Sequence, residues 1–101
     1  MKAYLITPAT QSIEVLDIAD LEDIKGLIGF DTLESDAIGT EGDRLYFDEE
    51  CFLRGTAGRF RIDKVVPVAG KGVVVGTGDG SLALRDVQTD IEDLRRRITY
   101  L

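Results

Sequence analysis

The sequence predicts an α+β fold in which a mainly antiparallel sheet, built from hairpins, is packed by two helices. Two observations carry this expectation. Short apolar runs that alternate with polar residues and end at turn-forming residues outnumber the helical segments, and hairpin pairs of such runs dominate the chain. Only two segments combine an N-cap with an apolar stripe of helical period. With 101 residues the chain suffices for one core and not for a second, so residues 1–101 are expected to form a single α+β domain.

Taken in order, "KAYLIT" is a short apolar strand ended by Pro8, "PATQ" turns the chain, and "SIEVLDI" returns with Ile13 and Val15 alternating against Glu14. In "DLEDIKGLIG" Asp20 is the expected N-cap, Glu22 and Asp23 suit the positive end of the helix, and Leu21, Ile24 and Ile28 share one face. Gly29 closes the helix, and Gly26 weakens it by about 1 kcal/mol relative to alanine, so packing has to hold it. "FDTLESDAI" is read as a strand with acids on its exposed face. "DRLYFDEECFLRG" is read as a second hairpin: Leu45 and Phe47 alternate with Arg44 and Tyr46, "DEE" turns, and "CFLR" returns. "GRFRIDKVV" alternates, with Phe60 and Ile62 toward the core and Arg59, Arg61 and Asp63 on the other face. "GVVVG" is the continuous apolar run of a strand buried on both sides, and "TGDGS" turns it into a partner strand in "LALRDV". In "TDIEDLRRRITYL", Thr89 and Glu92 have capping-box spacing, and Ile91, Leu94 and Ile98 form a stripe. Acids open this helix and three arginines follow, matching the helix dipole.

Composition narrows the chemistry. The chain has no histidine and a single cysteine, so histidine-based triads, zinc hydrolase sites and internal disulfides are excluded. A lone Cys51 fits a reducing compartment. No apolar run approaches the roughly 20 residues that span a bilayer, and the first residues lack a secretory pattern, so a cytoplasmic location without membrane contact is expected. The formal net charge is −7, and it is uneven. Residues 1–50 hold thirteen acidic and three basic side chains, whereas residues 51–75 hold one acidic and five basic. A chain this acidic is not expected to bind nucleic acid directly, because phosphate neutralisation supplies most of that affinity.

Several stretches invite a site and fail its requirements. "AGKGVVVGTGDGS" has Val65 and Gly72 where a phosphate loop needs glycine and Ser or Thr, and Ser81 where a dinucleotide fingerprint needs its third glycine. Tight turns around a buried strand are the favoured reading. Asp48, Glu49 and Glu50 lack the interleaved spacing of a calcium loop, so a solvated hairpin tip is expected and no metal or cofactor is. Cys51 among acids suits a buried structural thiol rather than a nucleophile. The stretch that keeps a functional alternative is "RGTAGRFRIDK". Arg59 and Arg61 project from one strand face about 7 Å apart, Arg54 would stand on the preceding strand, and Lys71 lies between two glycines. These four residues could capture a small anion such as a nucleotide. The favoured reading is that they pair with the acidic first half, within one chain or across a dimer.

"MKAYLITPATQSIEVLDI", "LEDIKGLIGFDTLESDAI", "DRLYFDEECFLRG" and "PVAGKGVVVG" together resemble a family of small uncharacterised proteins, a domain of unknown function often carried by bacteriophages, plasmids and other bacterial mobile elements. The resemblance covers most of residues 1–76, and the region after Gly55 departs from the loop that pattern leads one to expect. It implies a context, a small accessory protein of bacteria or their phages, and no catalytic residue. The sequence thus leads to an expected non-enzymatic accessory or regulatory protein that contacts another protein, a second copy included, through an acidic surface. Imitation of nucleic acid toward a DNA-binding protein is one form such contact would take. Binding of a small anion at Arg54, Arg59, Arg61 and Lys71 is the alternative.

Overall fold

The computed structural model describes residues 1–65, 67–78 and 83–101. Among them the elements run β1 (Lys2–Thr7), β2 (Ser12–Asp17), α1 (Leu21–Ile28), β3 (Leu33–Ala37), β4 (Asp43–Asp48), β5 (Arg59–Ile62), β6 (Val68–Ala69), β7 (Gly72–Thr77), β8 (Leu84–Arg85), α2 (Ile91–Arg97) and β9 (Ile98–Tyr100), with one 3-10 turn at Cys51–Leu53. The larger sheet has the order β2-β1-β7-β4-β3 with β8 added to β7, and the smaller has the order β6-β5-β9. Each of these pairings is antiparallel, so the α+β class with a mainly antiparallel sheet and two helices is as the sequence predicts.

Strand alternation divides the core into two layers that share the large sheet. Tyr4, Ile6, Leu45, Phe47 and Val74 face one way and pack on Phe60, Ile62 and Val68 of the small sheet and on Leu94 of α2. Ala3, Leu5, Tyr46, Val73 and Val75 face the other way, against Ile24 and Ile28 of α1. The three valines of β7 are fully buried, which explains the unbroken apolar run in its sequence. Each such side chain contributes about 1.5–3 kcal/mol relative to exposure. Gly72 starts this strand because a Cβ there would lie 2.7 Å from the Phe60 ring and 2.9 Å from Leu45. Its missing side chain lets the small sheet approach the large one.

The β1–β2 hairpin pairs Lys2 with Asp17 through to Thr7 with Ser12. In α1, Asp20 caps by accepting from the Asp23 amide, and Gly29 closes the helix at φ 94°, both as the sequence predicts. Leu21 departs from its stripe and is 38% exposed. It opens α1 and lines a shallow groove with Met1 and Leu84.

Three further expectations are corrected. "CFLR" does not return as a strand, because β4 is already paired with β3 on one side and β7 on the other, and the chain makes the 3-10 turn instead. The last helix ends at Arg97, and Ile98–Tyr100 becomes β9 on β5, as the β-branched and aromatic residues there favour. Its N-cap is Asp90, which accepts from the Glu92 amide, rather than Thr89. The "TGDGS" turn lies mostly outside the described residues. Within "LALRDV" the pair Leu84–Arg85 joins Gly76 and Thr77. Among the described residues no helix is long and apolar enough to cross a membrane.

Candidate functional site

A cavity of about 260 Å³ opens where four connections meet. The end of β1 and the following turn supply Thr7, Pro8 and Ala9, the end of α1 and the residues after it supply Ile28 and Phe30, the end of β4 and the segment after it supply Asp48, Cys51, Arg54, Thr56 and Ala57, and the end of β6 and its link to β7 supply Ala69, Gly70 and Lys71. Local chemistry fixes these segments together. Gly58 has φ 82°, and a Cβ there would lie 2.6 Å from the Ala9 amide nitrogen, so only glycine lets the loop pass beneath the β1–β2 turn. The Gly70 amide donates to the Gly58 carbonyl at 3.0 Å, and the Ala69 amide donates to the Cys51 thiol sulfur at 3.5 Å. Cys51 is therefore a buried strut of the cavity floor, in keeping with a structural thiol.

Asp48 anchors the wall. The acidic turn is not wholly solvated as the sequence suggests: Glu49 and Glu50 are exposed, but Asp48 is only 3% exposed. Its carboxylate accepts from Arg54 Nε at 2.9 Å, from the Glu50 amide at 3.1 Å and from the Thr32 hydroxyl. Burial alone raises the Asp48 pKa, and these hydrogen bonds with the Arg54 charge outweigh it, holding the carboxyl below its ordinary range. Arg54 also reaches Glu50 at 3.3 Å and Thr32 at 3.2 Å through Nη2, and its guanidinium lies 4.3 Å from the centre of the Phe30 ring.

The four cations singled out in the sequence are divided by this arrangement. Arg54 and Lys71 line the same cavity. Arg54 does not stand on a strand beside β5, because it follows the 3-10 turn and is held by Asp48 and Glu50. Arg59 lies on a separate open groove with Pro67 and Leu101, its guanidinium 5.2 Å from the Phe52 ring. Arg61 lines neither, and its Nε is buried without a hydrogen-bond partner among the described residues. Lys71 is exposed and enters no ion pair among the described residues. The sequence reading missed the Asp48–Arg54–Phe30 grouping. Its one local signal was two acids four and six positions ahead of an arginine.

A second cleft, of about 320 Å³ and more polar, lies between Thr40, Glu41 and Asp43 on one side and Gln88, Asp90 and Arg97 on the other. Its buried carboxylate, Asp43, is consumed structurally. It accepts from the Gln88 amide at 2.9 Å, from the Thr89 amide at 2.7 Å and from the Thr89 hydroxyl. Tyr4 donates to the Thr89 carbonyl at 2.7 Å. Burial raises the Tyr4 pKa, and the charges of Asp90 and Asp43 add to it, so the phenol stays a donor. Among the described residues no group of three or more Cys, Asp or Glu side chains is placed to hold a metal ion. No family model matches this chain, nor does a curated protein or a solved structure.

Proposed function

We propose that this chain is a small non-enzymatic accessory or regulatory protein, of bacterial or phage origin, that acts by contacting another protein through its acidic surface. The observation that carries the reading is the distribution of charge over the fold. Between Ser12 and Glu41 nine acidic side chains stand against one lysine, Lys25. They lie on both edge strands of the large sheet, on α1 and in the adjoining loops. Glu14, Asp17, Asp31, Glu34 and Glu41 are exposed, and none of the five enters an ion pair among the described residues.

Uncompensated carboxylates on a surface favour a partner that presents lysine and arginine, through faster encounter and rejection of acidic competitors. A catalytic reading has less support. Asp43 and Asp48, the two buried carboxylates among the described residues, are each occupied by three donors. The test is affinity capture from a bacterial lysate with the immobilised chain and with a variant in which Glu14→Gln, Asp17→Asn, Glu34→Gln and Asp36→Asn are combined. The expected result is a protein retained by the parent at low salt, released at roughly 0.5 M salt, where the screening length falls to a few ångströms, and not retained by the variant. Equal capture by both chains would overturn the acidic surface as the contact.

A further inference from the structure

We propose that the cavity between the β1–β2 turn, the end of α1 and the 51–57 segment is a binding site for a small amphipathic carboxylate, with its apolar body inside and its anionic group at the mouth between Lys71 and Arg54. The site goes beyond the acidic contact surface and does not depend on it. Pro8, Ile28, Phe30, Ala57 and Ala69 make the interior largely hydrocarbon. Charge at the mouth is asymmetric in a useful way. Arg54 divides its one charge between Asp48 of the wall, through Nε, and Glu50 beside it, through Nη2. Its Nη1 makes no hydrogen bond among the described residues. The Lys71 ammonium, carried between Gly70 and Gly72, likewise has no acidic partner there. A ligand carboxylate supplies the anion that Lys71 lacks and accepts from the open Arg54 Nη1, and charge-assisted hydrogen bonds of this kind are the stronger ones.

Size selects within that class. A volume of about 260 Å³ corresponds to roughly nine water molecules at liquid density and falls just below the range of about 300–1,000 Å³ typical of sites for drug-sized ligands. It suits a body of about eight to ten non-hydrogen atoms, such as a medium-chain or aromatic carboxylate. A nucleotide is too large, and the other two arginines that would meet its phosphates stand elsewhere.

The experiment uses sodium octanoate and sodium benzoate as probes, with octanol, acetate and adenosine monophosphate as comparisons. Melting temperature is followed against concentration, and amide chemical shifts are followed by NMR. The expected result is a saturable rise in melting temperature with octanoate or benzoate, and shift changes confined to residues 7–9, 28–30, 48–57 and 69–71. Octanol and acetate should each bind at least about tenfold more weakly, because one lacks the charge and the other the body. Lys71→Ala, at an exposed position, should weaken octanoate about tenfold. Ala57→Trp, also at an exposed position, should abolish binding by filling the cavity that Ala57 lines. Binding that survives Ala57→Trp, shift changes outside those segments, a preference for adenosine monophosphate, or no saturable response to either carboxylate would overturn the assignment.

Discussion

Asp48 shows how one side chain sets a local structure and its pH response together. It ends β4, is buried, and collects three donors from a hydroxyl, an amide and a guanidinium. Desolvation works against its charge, but the donors and Arg54 win, so folding lowers its pKa. The native state then binds fewer protons than the unfolded one. The stabilisation from Asp48 is accordingly fully present above the unfolded carboxylate pKa of about 3.9 and is lost as pH falls through that value and the lower folded one. Asp48→Asn keeps the shape and removes the charge. We expect it to cost about 1–3 kcal/mol at pH 7, as for a buried donor left poorly matched. The gap in melting temperature from the parent should narrow between about pH 5 and pH 3. A gap that stays constant across that range would show that the carboxylate charge contributes nothing. Arg61 poses a different case at the same scale, since its Nε is buried with no hydrogen-bond partner among the described residues.

Elements are where the sequence was most legible and also where it misled. β1, β2, α1 and β7 follow from signals within a few residues of themselves: a turn between alternating runs, a cap at Asp20 with Gly29 behind it, and an unbroken valine run. The expectations that failed depend on distant chain. "CFLR" reads as a strand locally, yet both sides of β4 are taken by β3 and by β7, the latter more than twenty residues away in sequence. "ITY" extends a helical stripe locally, yet β5 offers it an edge. Thr89 and Asp90 are both competent caps, and the choice is made by Asp43, whose carboxylate takes the Thr89 hydroxyl and leaves Asp90 to cap α2. The candidate cavity was hidden for the same reason, because its walls come from four separate connections. Asp43 therefore acts as a latch between β4 and the start of α2. Asp43→Ala orphans the Gln88 and Thr89 amides and is expected to cost about 2–4 kcal/mol. Asp43→Asn should recover part of it, since its one carbonyl oxygen can replace one carboxylate oxygen but its NH2 opposes the other amide. Urea denaturation measures both, and an alanine variant as stable as the parent would refute the latch.

At the scale of the whole molecule the dominant feature is uneven charge. The formal net charge of −7 is concentrated in the first half, on the two edges of the large sheet and on α1, while most of the arginines find partners close by. Two effects of salt then compete. Screening weakens attraction in ion pairs and repulsion among unpaired carboxylates alike. The pairs on the helices, Lys25–Glu22, Arg95–Glu92 and Arg96–Asp93, are local and exposed, so each is worth only about 0.3–0.5 kcal/mol. The pair that matters more, Asp48–Arg54, has its acid buried and is screened less. Repulsion among nine acids facing a single lysine is spread over the surface, where screening is most effective. Repulsion should therefore decide the sign. We expect the melting temperature to rise between roughly 10 mM and 0.5 M sodium chloride, and to rise less in the variant with Glu14, Asp17, Glu34 and Asp36 neutralised, which should already be the more stable chain at low salt. A melting temperature that falls with salt would mean that ion pairs outweigh the repulsion. It would also remove the uncompensated acidic surface from which the contact with a basic partner is argued, because that surface is defined by charge the fold itself leaves unmatched.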